Sequence, residues 1–155
     1  MTQRSAVHAT FVIDRTYDAA PERVFRAFAD PVAKRRWFGA PAEWGPSPHE
    51  MDFRVGGRET SSGRPPGGQM HNYRAMFQDI VPNERIVSTY DMDFDGVRIS
   101  VSLATVELKP EGKGTRLTYT EQGVYLDGYD DAGAREHGTR AMLDGLAASL
   151  ATETT

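Results

Sequence analysis

With 155 residues and a formal net charge of −4, the chain is large enough for one domain with a real core. It has no cysteine, which excludes a disulfide framework, a thiolate metal site and a cysteine nucleophile. No run approaches the ~20 apolar residues of a membrane span, and residues 1–6 lack the apolar core of a signal peptide, so a soluble cytoplasmic protein is expected.

Phe11, Ile13, Arg15 and Tyr17 alternate with Val12, Asp14 and Thr16, the period of a half-buried strand. Ala20-Pro21-Glu22 opens a helix, with proline early, where its missing N–H costs nothing; Val24, Phe25 and Phe28 form the apolar stripe. Asp30-Pro31 breaks this helix and starts another over 32–38, closed by Gly39. The triplet Lys34-Arg35-Arg36 reads as a solvated helix face, and the other basic residues are scattered, so no nucleic-acid partner is expected.

From Glu50 the period changes to strands. Asp52-Phe53-Arg54-Val55-Gly56-Gly57-Arg58 reads as strand, Gly-Gly turn and strand. The glycine-rich stretch 61–68 reads as a turn or loop; it lacks the Lys-Ser/Thr of a phosphate-binding loop. Strands over 71–80, 85–94 and 97–108 follow, turned at Pro82-Asn83 and Asp95-Gly96. After a turn at 110–114 the last strand spans 115–122. In 85–94 the even positions, including Ile86, Tyr90 and Met92, are expected to face the interior. In 97–108 the residues Val97, Ile99, Val101 and Leu103 share one parity while Val106 and Leu108 take the other, which a bulge near Ala104-Thr105 would reconcile. A helix over 131–151 closes the chain, with Thr139, Met142, Leu143, Leu146 and Leu150 in one stripe and Arg135 and Glu136 one turn earlier.

This order predicts an α+β arrangement: a curved antiparallel sheet of six to seven strands wrapped around a long C-terminal helix, with two short helices after the first strand. A single domain over 8–152 is expected, with 1–7 and 153–155 as disordered tails. A helix gripped by a curved sheet leaves a cavity between them.

The segment 20–28 with Asp30-Pro31, then Trp37-Phe38-Gly39, Asp52-Phe53-Arg54-Val55-Gly56-Gly57, Asp79-Ile80-Val81-Pro82, Glu84-Arg85-Ile86-Val87 and Gly114-Thr115-Arg116-Leu117 carry a resemblance across about residues 10 to 150. The chain resembles the helix-grip (SRPBCC) superfamily of START, birch-pollen-allergen and polyketide-cyclase proteins. Within it, the chain is similar to the family of homologues of the activator of heat-shock-protein-90 ATPase. Thr120-Glu121-Gln122-Gly123 with Leu126-Asp127-Gly128 resembles a bacterial subgroup related to calicheamicin-resistance-type proteins. The family often has Gly-Trp in its last helix where this chain has Gly138-Thr139, a change that enlarges the expected cavity or alters its polarity. Eukaryotic chaperone activators resemble the chain only in their C-terminal domain, so the resemblance implies a fold rather than that activity.

Trp37, Phe38, Tyr73, Tyr90, Met92 and Tyr119 are expected to line a lipophilic pocket. Leu117, Tyr119 and Glu121 share one strand face, and Arg135 precedes Thr139 and Met142 on the inward side of the last helix. A lone buried carboxylate is costly, and a guanidinium partner removes much of that cost. Glu121 and Arg135 are therefore expected to meet at a pocket wall or mouth, either to orient a polar ligand group or as a structural ion pair tying the helix to the sheet. The four histidines, His8, His49, His71 and His137, show no ligand spacing, and no Gly-x-Ser-x-Gly elbow is present. No metal, cofactor or catalytic motif is expected. The predicted function is binding of a small hydrophobic or amphipathic molecule. The rivals are a cyclase-like enzyme using Glu121, or a tyrosine such as Tyr90 or Tyr119, as acid or base, or a chaperone-regulating interaction module; a homodimer is left open.

Overall fold

The computed structural model describes residues 3–45 and 47–152. Seven strands form one antiparallel sheet: β1 (Ala6–Tyr17), β2 (His49–Met51), β3 (Arg58–Gly63), β4 (His71–Val81), β5 (Arg85–Phe94), β6 (Val97–Glu111) and β7 (Gly114–Leu126). Their spatial order is β1-β7-β6-β5-β4-β3-β2. Helices α1 (Pro21–Ala29) and α2 (Pro31–Arg35) follow β1, and α3 (Ala132–Thr152) closes the chain. This is the expected helix-grip α+β fold. Strand β1 takes in Ala6 and Val7 from the expected N-terminal tail, pairing them with Leu126 and Tyr125. The expected C-terminal tail, 153–155, lies outside the described residues.

The hydrophobic core fills one half of the grip. Ile13, Val24, Leu117 and Leu146 are wholly buried, and Phe28, Leu143 and Leu150 pack with them. The C-terminal half of α3 is therefore anchored by apolar contact, and Tyr17 Oη donates to the Leu143 carbonyl at 2.9 Å. His137, Ala141, Asp144 and Ala148 form the opposite, exposed face. Its N-terminal half presents Arg135, Thr139 and Met142 to the sheet.

Three local readings are corrected. The first concerns 52–58, where no strand forms before the glycines: β2 ends at Met51 and 52–57 is a tight loop. It closes on itself through Gly57 N to Arg54 O and is tied to β4 through Gly56 N to Phe77 O. Gly57 is required because a Cβ there would lie 2.0 Å from the Asp52 carbonyl oxygen. Second, Ser61, Ser62 and Gly63 belong to β3 rather than to the loop that follows. Third, β6 has no bulge at Ala104-Thr105. The register slips at Ile99, between the pairs Met92–Ser100 and Asp93–Arg98. Ser100, Ser102, Ala104, Val106 and Leu108 then face inward, while Val101 is 41 % exposed.

Gly57→Ala is expected to cost about 2 kcal/mol or more, because the clash is with backbone. Gly138→Ala is expected to stabilise by about 0.5–1 kcal/mol, since an added Cβ there meets nothing within 4 Å and glycine is a poor helix former. Urea midpoints of the two variants check both signs; a neutral Gly57→Ala would contradict the loop geometry.

Candidate functional site

Between the sheet and the N-terminal half of α3 lies a cavity of about 460 Å³, walled by Phe38, Trp44, Tyr73, Tyr119, Arg135 and Met142 among others. A second compartment of about 70 Å³ lies deeper, bounded by Lys34, Trp37, Phe53, Glu59, Phe77 and Leu143. Phe38, Tyr73, Tyr119, Thr139 and Met142 line both, so the two spaces share one wall. On β6, Ala104 and Val106 border the deeper compartment, and the small residues Ser100 and Ser102 precede them on the same inward face.

A hydrogen-bonded cluster forms the sheet side of the cavity. Glu121 is 1 % exposed. Its Oε2 accepts from Tyr90 Oη at 2.8 Å and its Oε1 from Tyr119 Oη at 2.6 Å. Arg135 Nη1 donates to Tyr90 Oη at 2.9 Å and stands 3.6 Å from Glu121 Oε2. The tyrosine hydroxyl thus relays between guanidinium and carboxylate, accepting from one and donating to the other. Arg135 Nη2 donates to Ser100 Oγ at 2.8 Å and Asp130 Oδ2 at 2.9 Å. Burial works against the Arg135 charge, but its contacts with Tyr90, Glu121 and Asp130 outweigh burial and hold the proton more firmly than usual. Burial first, and the Glu121 charge second, push the Tyr90 and Tyr119 hydroxyls well above the ordinary phenol range. Both act as neutral donors.

A second buried cluster was not expected from the sequence. Lys34 turns inward from α2, 6 % exposed, and its Nζ contacts Glu59 Oε1 at 2.7 Å. The reading of Lys34-Arg35-Arg36 as a solvated face therefore fails for its first member. His49 Nε2 meets Glu59 Oε2 at 2.7 Å, and Arg35 Nε donates to His49 Nδ1 at 3.1 Å. Since Nδ1 accepts, the proton sits on Nε2 and is donated to Glu59. Burial raises the Glu59 carboxyl, but the Lys34 charge and the two donors override it and hold the group below the usual carboxylate range. Burial pulls the Lys34 ammonium down against the pull of Glu59; the carboxylate, with two donors, keeps the pair ionic.

The structure brings together most of the residues singled out from the sequence. Phe38, Tyr73, Tyr119, Thr139 and Met142 line both compartments; Tyr90, Met92 and Arg135 line the larger. Trp37 reaches only the deeper one and is otherwise held in the core by Phe28 and by its Nε1 bond to the Ala27 carbonyl. Glu121 lines neither compartment, because both its oxygens are capped by tyrosines. It shapes the wall from behind. Trp44 and His71, in ring contact at 5.0 Å, join the larger compartment without a periodic signal to announce them. No group of three or more His, Cys, Asp and Glu that could hold a metal ion occurs among the described residues.

The model of the family described as "Activator of Hsp90 ATPase homolog 1-like protein" matches residues 18–151. The chain belongs to this family. Among solved structures, a Rhizobium leguminosarum protein is 47 % identical, covering 98 % of this chain and 100 % of its own, with a TM-score of 0.93. The Mll3558 protein of Rhizobium loti is 50 % identical over 94 % of this chain and 99 % of its own, at a TM-score of 0.86. The CV1439 protein of Chromobacterium violaceum is 28 % identical over 90 % and 94 % of the two chains, at 0.73. No curated protein matches the sequence. These comparisons establish the family of Hsp90-activator homologues and not the calicheamicin-resistance-type subgroup. No helix among the described residues is long and apolar enough to cross a membrane.

Two outcomes follow. Arg135→Met leaves the Glu121 carboxylate buried without its counter-charge, and a loss of about 3–5 kcal/mol is expected. The pair Arg135→Met with Glu121→Gln removes both charges and should cost clearly less; equal urea stabilities for the single and double variants would contradict the ion pairing. Second, burial raises the hydroxyls of Tyr17, Tyr73, Tyr90 and Tyr119, and that of Tyr125 to about 12. A folded-state value above the unfolded one gives stability that is complete below the unfolded value of 10.0 and lost as pH rises past it. Phenolate absorbance should therefore appear together with alkaline unfolding. Full ionisation of these tyrosines near pH 10 with the fold intact would contradict their burial.

Proposed function

We propose that this family member binds a small, largely apolar molecule carrying at least one polar group, held between the sheet and α3. The observation that carries the reading is the two-compartment cavity. Its larger part, about 460 Å³, falls within the roughly 300–1,000 Å³ typical of ligand pockets. The walls are aromatic rings and Met142, with Arg135 at one side. Thr139 sits where both compartments meet, so the volume depends on its small size.

The acid–base rival loses ground at Glu121 on geometry. A catalytic carboxylate must reach the substrate proton, and Glu121 is screened from the cavity by the two hydroxyls that it accepts. The chaperone-regulating reading rests on the family description alone. The ligand-binding reading is paired with a bacterial setting, supported by the bacterial origin of the solved relatives.

Native mass spectrometry of the protein from its own host, set against the denatured mass, tests the proposal. A discrete extra mass is expected in the wild type and is expected to vanish in Thr139→Trp, whose indole fills the shared wall. A clean mass in the wild type, or an adduct retained in Thr139→Trp, would sink it.

A further inference from the structure

Lys34 is the buried exception among three lysines in a chain with fifteen arginines. Lys109 and Lys113 lie at the exposed β6–β7 hairpin, whereas Lys34 forms part of the wall of the deeper compartment. Its ammonium has three N–H donors, and among the described residues its one hydrogen-bond partner is Glu59. The remaining directions face rings: Nζ is 4.5 Å from the centroid of Phe38 and 5.9 Å from that of Phe77. A ring face offsets part of the missing hydration, but a buried ammonium short of acceptors retains a strong demand for one. Tyr73 flanks the same Phe38 ring at 5.3 Å, lines both compartments, and its hydroxyl has no hydrogen-bond partner among the described residues. Lys34 and Tyr73 therefore bring two donors with unfilled capacity to the deep end of the cavity, alongside the hydroxyls of Ser88 and Thr139.

Charge decides which acceptor fits. Lys34 is already neutralised by Glu59, and His49 is in its neutral Nε2–H form because Arg35 donates to Nδ1. A ligand carboxylate placed against Lys34 would set a second anion close to the buried Glu59, whereas a neutral carbonyl accepts the spare N–H without that repulsion. Resting on the ligand-binding reading above, we infer that the deep compartment is a carbonyl-recognition site, in which the Lys34 ammonium donates to a ketone, ester or lactone oxygen at the leading end of the ligand. Glu59 and His49 act as positioning residues: they fix the lysine, and the Glu59 carboxylate offsets its charge.

Three naphthalenes of nearly equal shape test this: 2-acetylnaphthalene, 2-ethylnaphthalene and 2-naphthoate, titrated calorimetrically at neutral pH. The wild type is expected to bind the ketone about tenfold tighter than the ethyl compound, the size of one hydrogen bond to a charged donor, and to disfavour the carboxylate. In Glu59→Gln the ammonium loses its counter-charge, and preference should move toward 2-naphthoate. In Lys34→Met with Glu59→Gln no buried charge is orphaned; the ketone preference should fall to near unity while 2-ethylnaphthalene affinity is kept. Equal binding of ketone and ethyl compound by the wild type, or a preference unchanged in both variants, would overturn the inference and leave the cavity reading standing. Failure of the wild type to bind any of the three would overturn both.

Discussion

A carboxylate with 1 % of its surface exposed, Glu121, sets the terms for half of this molecule. Isolated, it would be several kcal/mol too costly to bury. It survives because Tyr90, Tyr119 and Arg135 surround it with donors and a positive charge. Those partners come from β5, β7 and α3, so one ionised group ties the gripped helix to the sheet that grips it. It also explains why the grip is open at this end. The apolar stripe of α3 stops at Leu143, and the residues before it, Met142, Thr139 and Arg135, border space rather than packed side chains. Satisfied polar groups specify position without filling volume.

The Lys34–Glu59–His49 cluster repeats this logic on the opposite side, joining α2 to β2 and β3. Between the two clusters lies an aromatic wall in which Phe38, Tyr73 and Tyr90 are in successive ring contact, at 5.3 and 4.9 Å. The cavity is thus largely aromatic between two charged clusters that border its ends, with each charge largely compensated in place. Such a site suits an uncharged, elongated molecule with acceptor groups better than a salt or a phosphate. The family description speaks of Hsp90 activation, whereas the two charged clusters described above are buried in the interior.

Much of the fold was legible because period and punctuation agreed. The strand limits of β5, the Asp95-Gly96 turn with both residues at positive φ, and the α1 stripe follow from alternation and from glycine and proline placement. The pairing of Glu121 with Arg135 was legible too, since strand and helix parity put both on the inward side. The failures share one cause. In β6 the inward positions Ser100, Ser102 and Ala104 are small or polar while the outward ones carry Val101 and Leu103, so hydrophobic alternation points the wrong way. Lys34 is a polar residue on an inward face, and its place in a basic triplet assigned it to solvent. The Trp44–His71 contact joins a loop to a strand end, for which no periodicity exists. A cavity erases the signal by which its own walls would be recognised.

A crystal structure of the protein isolated from its host and never refolded tests the central claim most directly. The account predicts Arg135, Tyr90, Tyr119 and Glu121 bonded as described, beside a continuous cavity with density for a bound molecule running toward Lys34. Phe38 and Met142 folded into that space to close it, with Arg135 turned out to solvent, would contradict it.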